Sequence, residues 1–261
     1  MPRVAAIALN TFREAVRDRV LYNLIVFALL LIGTAVLFGQ ISIGVERLIV
    51  INLGLTAVTF FGLAIAIFIG IGLVYKEMDQ RTLYVLLAKP VRRVEFILGK
   101  FCGLGLTLLV NTALMAAGFF LALYYVQGKV SLPDPNLLAA LYFVFLALLL
   151  ATALALFFSC FSSPVLSAAL TFALFIGGSL ADDLRELGRM VEVPWVKAVG
   201  EGVYYVIPNF RNFNTISSVA QGHPVPAALL WQNTAYAALY IGLVLAASAL
   251  IFQNRDRKSV V

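Results

Sequence analysis

The sequence predicts an all-α membrane protein with six transmembrane helices. An interfacial helix precedes them, a charged segment separates spans two and three, and short outer helices separate spans five and six. Three observations carry this expectation. Of 261 residues, 62% are hydrophobic and only 12% charged, and the mean hydropathy is +0.98. A soluble domain charges roughly a quarter of its residues, so the solvent here is lipid. The apolar residues also fall into runs of the length a bilayer-crossing helix needs, about 20 residues. Finally, those runs are continuous rather than alternating, which excludes a transmembrane β-barrel.

The first 19 residues place Val4, Ile7, Ala8, Phe12, Ala15 and Val16 at helical spacing against Arg3, Asn10, Arg13, Glu14 and Arg17. That pattern suits an amphipathic helix lying on the membrane surface. No small-residue cleavage site follows, so the first span, about 20–39, is expected to be retained. The turn Gln40–Arg47 leads to a second span at about 48–74, long enough to tilt or protrude. Asn52 is its most polar interior residue.

Span three, about 101–126, follows the charged segment 76–98. Gly99, Gly103 and Gly105 at its start offer a surface for close helix approach. After a loop with Pro133 and Pro135 come spans four and five, about 137–160 and 165–181. The short Phe161–Pro164 link makes them antiparallel neighbours. Residues 182–225 mix charges such as Asp182, Asp183, Arg185 and Arg211 with apolar positions, and read as two short helices broken at Pro194 and ended near Pro208. Span six, about 226–252, completes a single transmembrane domain over 1–261.

Six spans put both termini on one side. Thirteen Lys and Arg fall on that side: Arg3, Arg13, Arg17, Arg19, Lys76, Arg81, Lys89, Arg92, Arg93, Lys100, Arg255, Arg257 and Lys258. Six fall on the other: Arg47, Lys129, Arg185, Arg189, Lys197 and Arg211. The richer side belongs in the cytoplasm, which predicts a multi-pass protein of the inner (cytoplasmic) membrane with both termini cytoplasmic. The net charge of +6 is accounted for by this fringe, and no nucleic-acid partner is expected. Cys102 and Cys160 both fall near cytoplasmic membrane edges, where no disulfide is expected. No Cys/His cluster suggests a metal site.

The chain lacks Gly-x-x-x-x-Gly-Lys-Ser/Thr, so it is not expected to cradle ATP itself. No charged residue is expected deep in a span, which argues against an ion-coupled transporter. Ser179, Asp183 and His223 could share the outer side, but the flanks of Ser179 lack the sharp nucleophile turn, and no catalytic residue is expected. Asn52 and Asn111 are polar candidates for a pathway between spans, with interhelical hydrogen bonding as the plainer use. Pro208, Asn209, Phe210 and Arg211 are candidates for an outer gate, with loop capping as the plainer use.

The segment 76–98 is the most specific part of the chain. Leu83, Leu86 and Leu87 recur at helical spacing behind Asp79, Gln80, Arg81 and Thr82, and Pro90 ends that helix and can begin the next. A short helix with a Leu face and a charged rim of Glu77, Asp79, Arg81, Arg92 and Arg93 makes a handle for a soluble partner. A solvated loop that merely satisfies the charge rule is the plainer alternative.

These residues resemble a signature of ATP-binding-cassette (ABC) transporter permeases of the type-2 exporter class. The likeness rests on Glu77, Arg81-Thr82-Leu83, Leu86-Leu87, Lys89-Pro90, Arg93, Glu95-Phe96 and Gly99-Lys100. It is closest to the subgroup that includes nitrous-oxide-reductase maturation permeases. Phe12-Arg13-Glu14, Tyr204-Tyr205, Pro208-Asn209-Phe210 and Phe213-Asn214 extend the likeness over the whole chain. The resemblance implies a pair of six-span subunits, each gripped at its coupling helix by an ATPase subunit that holds the ATP and Mg. Accessory periplasmic proteins and contact with membrane lipid fit the same picture. Two classes remain at this point: a permease worked by a separate ATPase, exporting, importing or only transmitting force, and a scaffold or intramembrane enzyme acting alone.

Overall fold

The computed structural model describes residues 2–41, 44–79, 93–128, 134–190 and 207–255. They form α1 (Pro2–Val16), α2 (Arg19–Ile41), α3 (Glu46–Asp79), α4 (Arg93–Gln127), α5 (Pro135–Ser159), α6 (Pro164–Ser179) and α7 (Ala181–Met190). A 3-10 turn (Phe210–Phe213), α8 (Ile216–Ala220) and α9 (Ala227–Arg255) follow, and no strand occurs among the described residues. The fold is therefore all-α.

Five helices, α2, α3, α4, α5 and α9, are long and apolar enough to cross a membrane. α6, the expected fifth span, is shorter, at 16 residues. At 1.5 Å per residue it reaches about 24 Å, short of a hydrocarbon core of about 30 Å. It stops at Ser179 rather than near 181, and α7 leaves at once.

α5 is apolar on every side, the pattern of a helix with no solvent face. It buries 72% of its apolar window, against 22% for α9, so α5 is the centre and α9 a rim. α5 packs on α3, α4, α6 and α9, while α2 lies against α3 and α4. The outward Phe27 and Leu30 of α2 and Leu239 and Leu243 of α9 are exposed and face lipid.

Several hydroxyl groups inside these apolar helices return their protons to the preceding turn. Thr107 donates to the Gly103 carbonyl at 3.0 Å, Thr152 to Leu148 at 2.8 Å and Thr171 to Ser167 at 2.7 Å. Such bonds let polar residues sit in an apolar bundle without an interhelical partner.

Asp134 caps α5 by accepting from the Asn136 amide, with Pro135 at the first helical position, where its missing N–H costs nothing. At the end of α4, Gly128 turns with φ +63° and donates to the Tyr124 carbonyl at 3.0 Å. The four residues Cys160–Ser163 join α5 to α6, which pack on each other as expected from so tight a link.

The proximal end of the bundle holds α1, the end of α3 and the start of α4. The distal end holds the cap of α5, the 3-10 turn and the start of α9. α1 packs chiefly on α4, and glycine makes this possible. A Cβ on Gly99 would lie 2.7 Å from Ile7, and one on Gly103 would lie 2.6 Å from the Ala8 carbonyl oxygen and from Thr11. The expected close-packing face of span three thus receives the N-terminal helix.

Candidate functional site

Local sequence first explains why the chain folds back at the distal end. α6 ends in Gly177-Gly178-Ser179, and the chain returns at Ile207-Pro208. Gly178 has no side chain, so the Pro208 carbonyl can lie against its backbone; a Cβ there would collide with it. Pro208, Asn209 and Phe210 are all buried.

Asn209 organises this stretch. Its side-chain oxygen accepts from the Arg211 amide at 3.0 Å and caps the 3-10 turn. Its side-chain nitrogen donates to Asp182 Oδ1 at 3.1 Å. Its own backbone amide donates to the Tyr236 hydroxyl on α9 at 2.8 Å. Non-helical backbone at the edge of a bilayer persists only where its polar groups find protein partners, and two of these bonds supply them for the Asn209 and Arg211 amides. Phe210 tilts against Phe175 of α6 with ring centroids 4.7 Å apart. From α9, Asn233 donates to the Asn212 carbonyl at 2.7 Å.

Arg211 turns outward and pairs with Asp182 at 3.7 Å and, more closely, with Asp183. The hydrogen bond that Arg211 donates to Asp183, and the charge of that carboxylate, raise the Arg211 pKa above its ordinary value, with smaller help from Asp182 and Glu186. Pro208, Asn209, Phe210 and Arg211, expected at an outer gate, thus form one buried-to-surface strap joining α6, α7 and α9. The Ser179 hydroxyl donates to the Phe175 carbonyl of its own helix at 2.8 Å, and exposed His223 lies in the turn after α8. This one bond commits the Ser179 proton to its own helix.

Asn52 sits half buried near the distal start of α3, and its amide donates to the Leu48 carbonyl of the same helix at 2.9 Å. Asn111 is buried in α4.

At the proximal end, α3 runs five residues past its expected limit, to Asp79, and α4 begins at Arg93. Glu77 and Asp79 therefore stand in the last turn of α3, and Arg93 opens α4. Arg81, Thr82, Leu83, Leu86, Leu87, Pro90 and Arg92 lie outside the described residues. α4 then carries Lys100, 1% exposed, with its ammonium over the Phe96 ring at 5.9 Å, within cation–π range. Sequence reasoning placed Lys100 at the membrane fringe. It lies inside the continuous apolar helix Val94–Gln127, and its neighbour Gly99, which admits α1 beside it, was the available signal.

The geometry is that of a membrane bundle with no built catalytic constellation among the described residues, and with its polar distal end held by hydrogen bonds and packing. No individually curated protein matches the chain in sequence. The sequence profile of the ABC-2 family transporter proteins matches residues 5–257. That match covers nearly every element described, from α1 to α9, and the chain belongs to the ABC-2 transporter family, as a membrane permease subunit of an ABC transporter.

Proposed function

We propose that this permease works as an exporter, moving its substrate by alternating access between two copies in the inner membrane, with both termini cytoplasmic. A separate ATPase subunit, holding ATP and Mg, grips residues 76–98. Its closure pushes on Glu77, Arg81, Leu83, Leu86 and Arg93, and the elbow at Pro90 passes the push to α3 and α4. The free energy comes from differential ATP binding on the partner, and the response is a rigid-body switch.

One observation carries this reading. α3 and α4, of 34 and 35 residues, converge at the proximal end and pack on each other, and α1 is wedged on α4 there. A force applied between Asp79 and Arg93 therefore acts on two full-length levers. The resemblance of residues 76–100 to nitrous-oxide-reductase maturation permeases supports that subgroup as its affiliation within the family. Co-expression with an ATPase encoded beside it tests the reading. Arg81→Glu with Arg93→Glu should abolish co-purification and lower ATP turnover; a variant that kept both would remove the proposed interface.

A further inference from the structure

Between α3, α5, α6 and the 3-10 turn lies a cavity of about 310 Å³, walled by Leu63, Val144, Ala147, Phe175 and Phe213. That is the size at which pockets begin to hold small ligands. Ala147 stands twelve residues beyond Pro135 on α5, or about 18 Å from the distal end of that helix. The cavity therefore runs from near the distal interface to the middle of the hydrocarbon layer. Its rim is open: Phe60 is 58% exposed, and Phe172 and Ile176 are each 44% exposed.

Of the four polar side chains on its wall, Thr56 is exposed and the other three already make hydrogen bonds. Thr59 donates to the Leu55 carbonyl at 2.8 Å and Ser179 to Phe175 at 2.8 Å. The Asn214 side-chain oxygen accepts from the Ile216 amide at 3.4 Å. Among the described residues no charged side chain lines the space. Water needs two to four polar partners to settle in such a place and finds few. A protein helix is about 10 Å across and too wide to enter. What fits is narrow, flexible and without polar groups along its length. Just beyond Ser179, Asp182, Asp183 and Arg211 supply a charged level at which a head group can remain.

We propose that this cavity binds a single linear hydrocarbon chain, entering sideways between α3 and α6 from the distal leaflet. Its head group stays at the level of Asp182 and Arg211. The proposal holds whichever way the permease transports.

The full chain is reconstituted in phosphatidylcholine vesicles with one of two probes, a diazirine-tagged fatty acid or a phosphatidylcholine carrying the same tag on one acyl chain. Label is mapped by mass spectrometry after irradiation. It should concentrate on Phe60, Ala147, Phe172 and Ile176 above the lipid-facing Phe27, Phe68 and Leu239. Labelling by the phosphatidylcholine identifies a bilayer lipid as the source, and labelling by the fatty acid alone identifies a free amphiphile. Ala147→Phe fills the wall, and Ile176→Trp narrows the exposed rim without touching the core. Each should lower cavity label, relative to Phe27, by about tenfold, the factor lost when about two methylenes are shut out. Even labelling of every lipid-facing surface, or cavity label unchanged in Ile176→Trp, would overturn the proposal. So would label that vanishes whenever a second copy is cross-linked over the mouth.

Discussion

The Tyr236 hydroxyl accepts the Asn209 backbone amide at 2.8 Å, across 27 residues of chain. This bond ties the buried return segment to the last long helix. Removing the acceptor leaves an N–H in an apolar setting. Tyr236→Phe should therefore cost about 1–3 kcal/mol, the penalty of an unsatisfied buried donor. Thermal unfolding in detergent measures it, and an unchanged midpoint would show that the amide finds another acceptor.

Asn209 itself separates capping from charge. Asn209→Ser keeps a short oxygen acceptor at the cap and should be mild, within about 1 kcal/mol. Asn209→Asp keeps the acceptor too, but it replaces the donor to Asp182 with a second carboxylate. Like charges at hydrogen-bond range repel, so Asp should lower the unfolding midpoint more than Ser. Added salt should narrow the gap by screening. The reverse order would mean that the bond to Asp182 is dispensable.

The Arg47–Asp134 pair at 3.1 Å joins two distal turns, and the Arg47 side chain is half exposed. Exposed pairs contribute little, about 0–1 kcal/mol. Asp134 does more, because it also caps α5 by accepting from the Asn136 amide at 3.0 Å. Asp134→Ala should cost about 1 kcal/mol and Arg47→Ala less. The double variant should cost about the same as Asp134→Ala alone, since Arg47 has then already lost its partner. Equal single effects would contradict the division between cap and ion pair.

Much of this architecture was legible because lipid simplifies the code. α5 shows as an unbroken apolar run, but α2 is almost as apolar and largely unburied, so the central place of α5 is a tertiary fact. The early stop of α6 was harder to see. Gly177 and Gly178 read as ordinary small residues in a span, and the use of Gly178, contact with Pro208, depends on a segment 30 residues later. Gly99 and Gly103 advertised a close neighbour without naming it, since which helix arrives is a tertiary fact. Lys100 misled for a related reason: its charge suggested the fringe, while packing against α1 and Phe96 covers it. The strap was half readable. Asn209 after Pro208 carries a capping signature, but its bonds to Asp182 and Tyr236 join separate elements.

The seam between α1 and α4 yields the sharpest test. Gly103 faces the Ala8 carbonyl oxygen, backbone that cannot rotate aside, at 2.6 Å from where a Cβ would stand. Gly103→Ala should therefore force α1 away and cost about 1–3 kcal/mol, the usual penalty of overpacking. Gly33, in α2, is the control, because a Cβ there meets nothing within 4 Å. Gly33→Ala should be neutral or stabilising by up to about 1 kcal/mol through helix propensity. Cysteine accessibility at Thr11, fully buried in the seam, gives a second readout: Thr11→Cys should resist a soluble maleimide, and adding Gly103→Ala should expose it. If Thr11→Cys stayed protected and the two alanine variants melted alike, α1 would not be held by the glycine face.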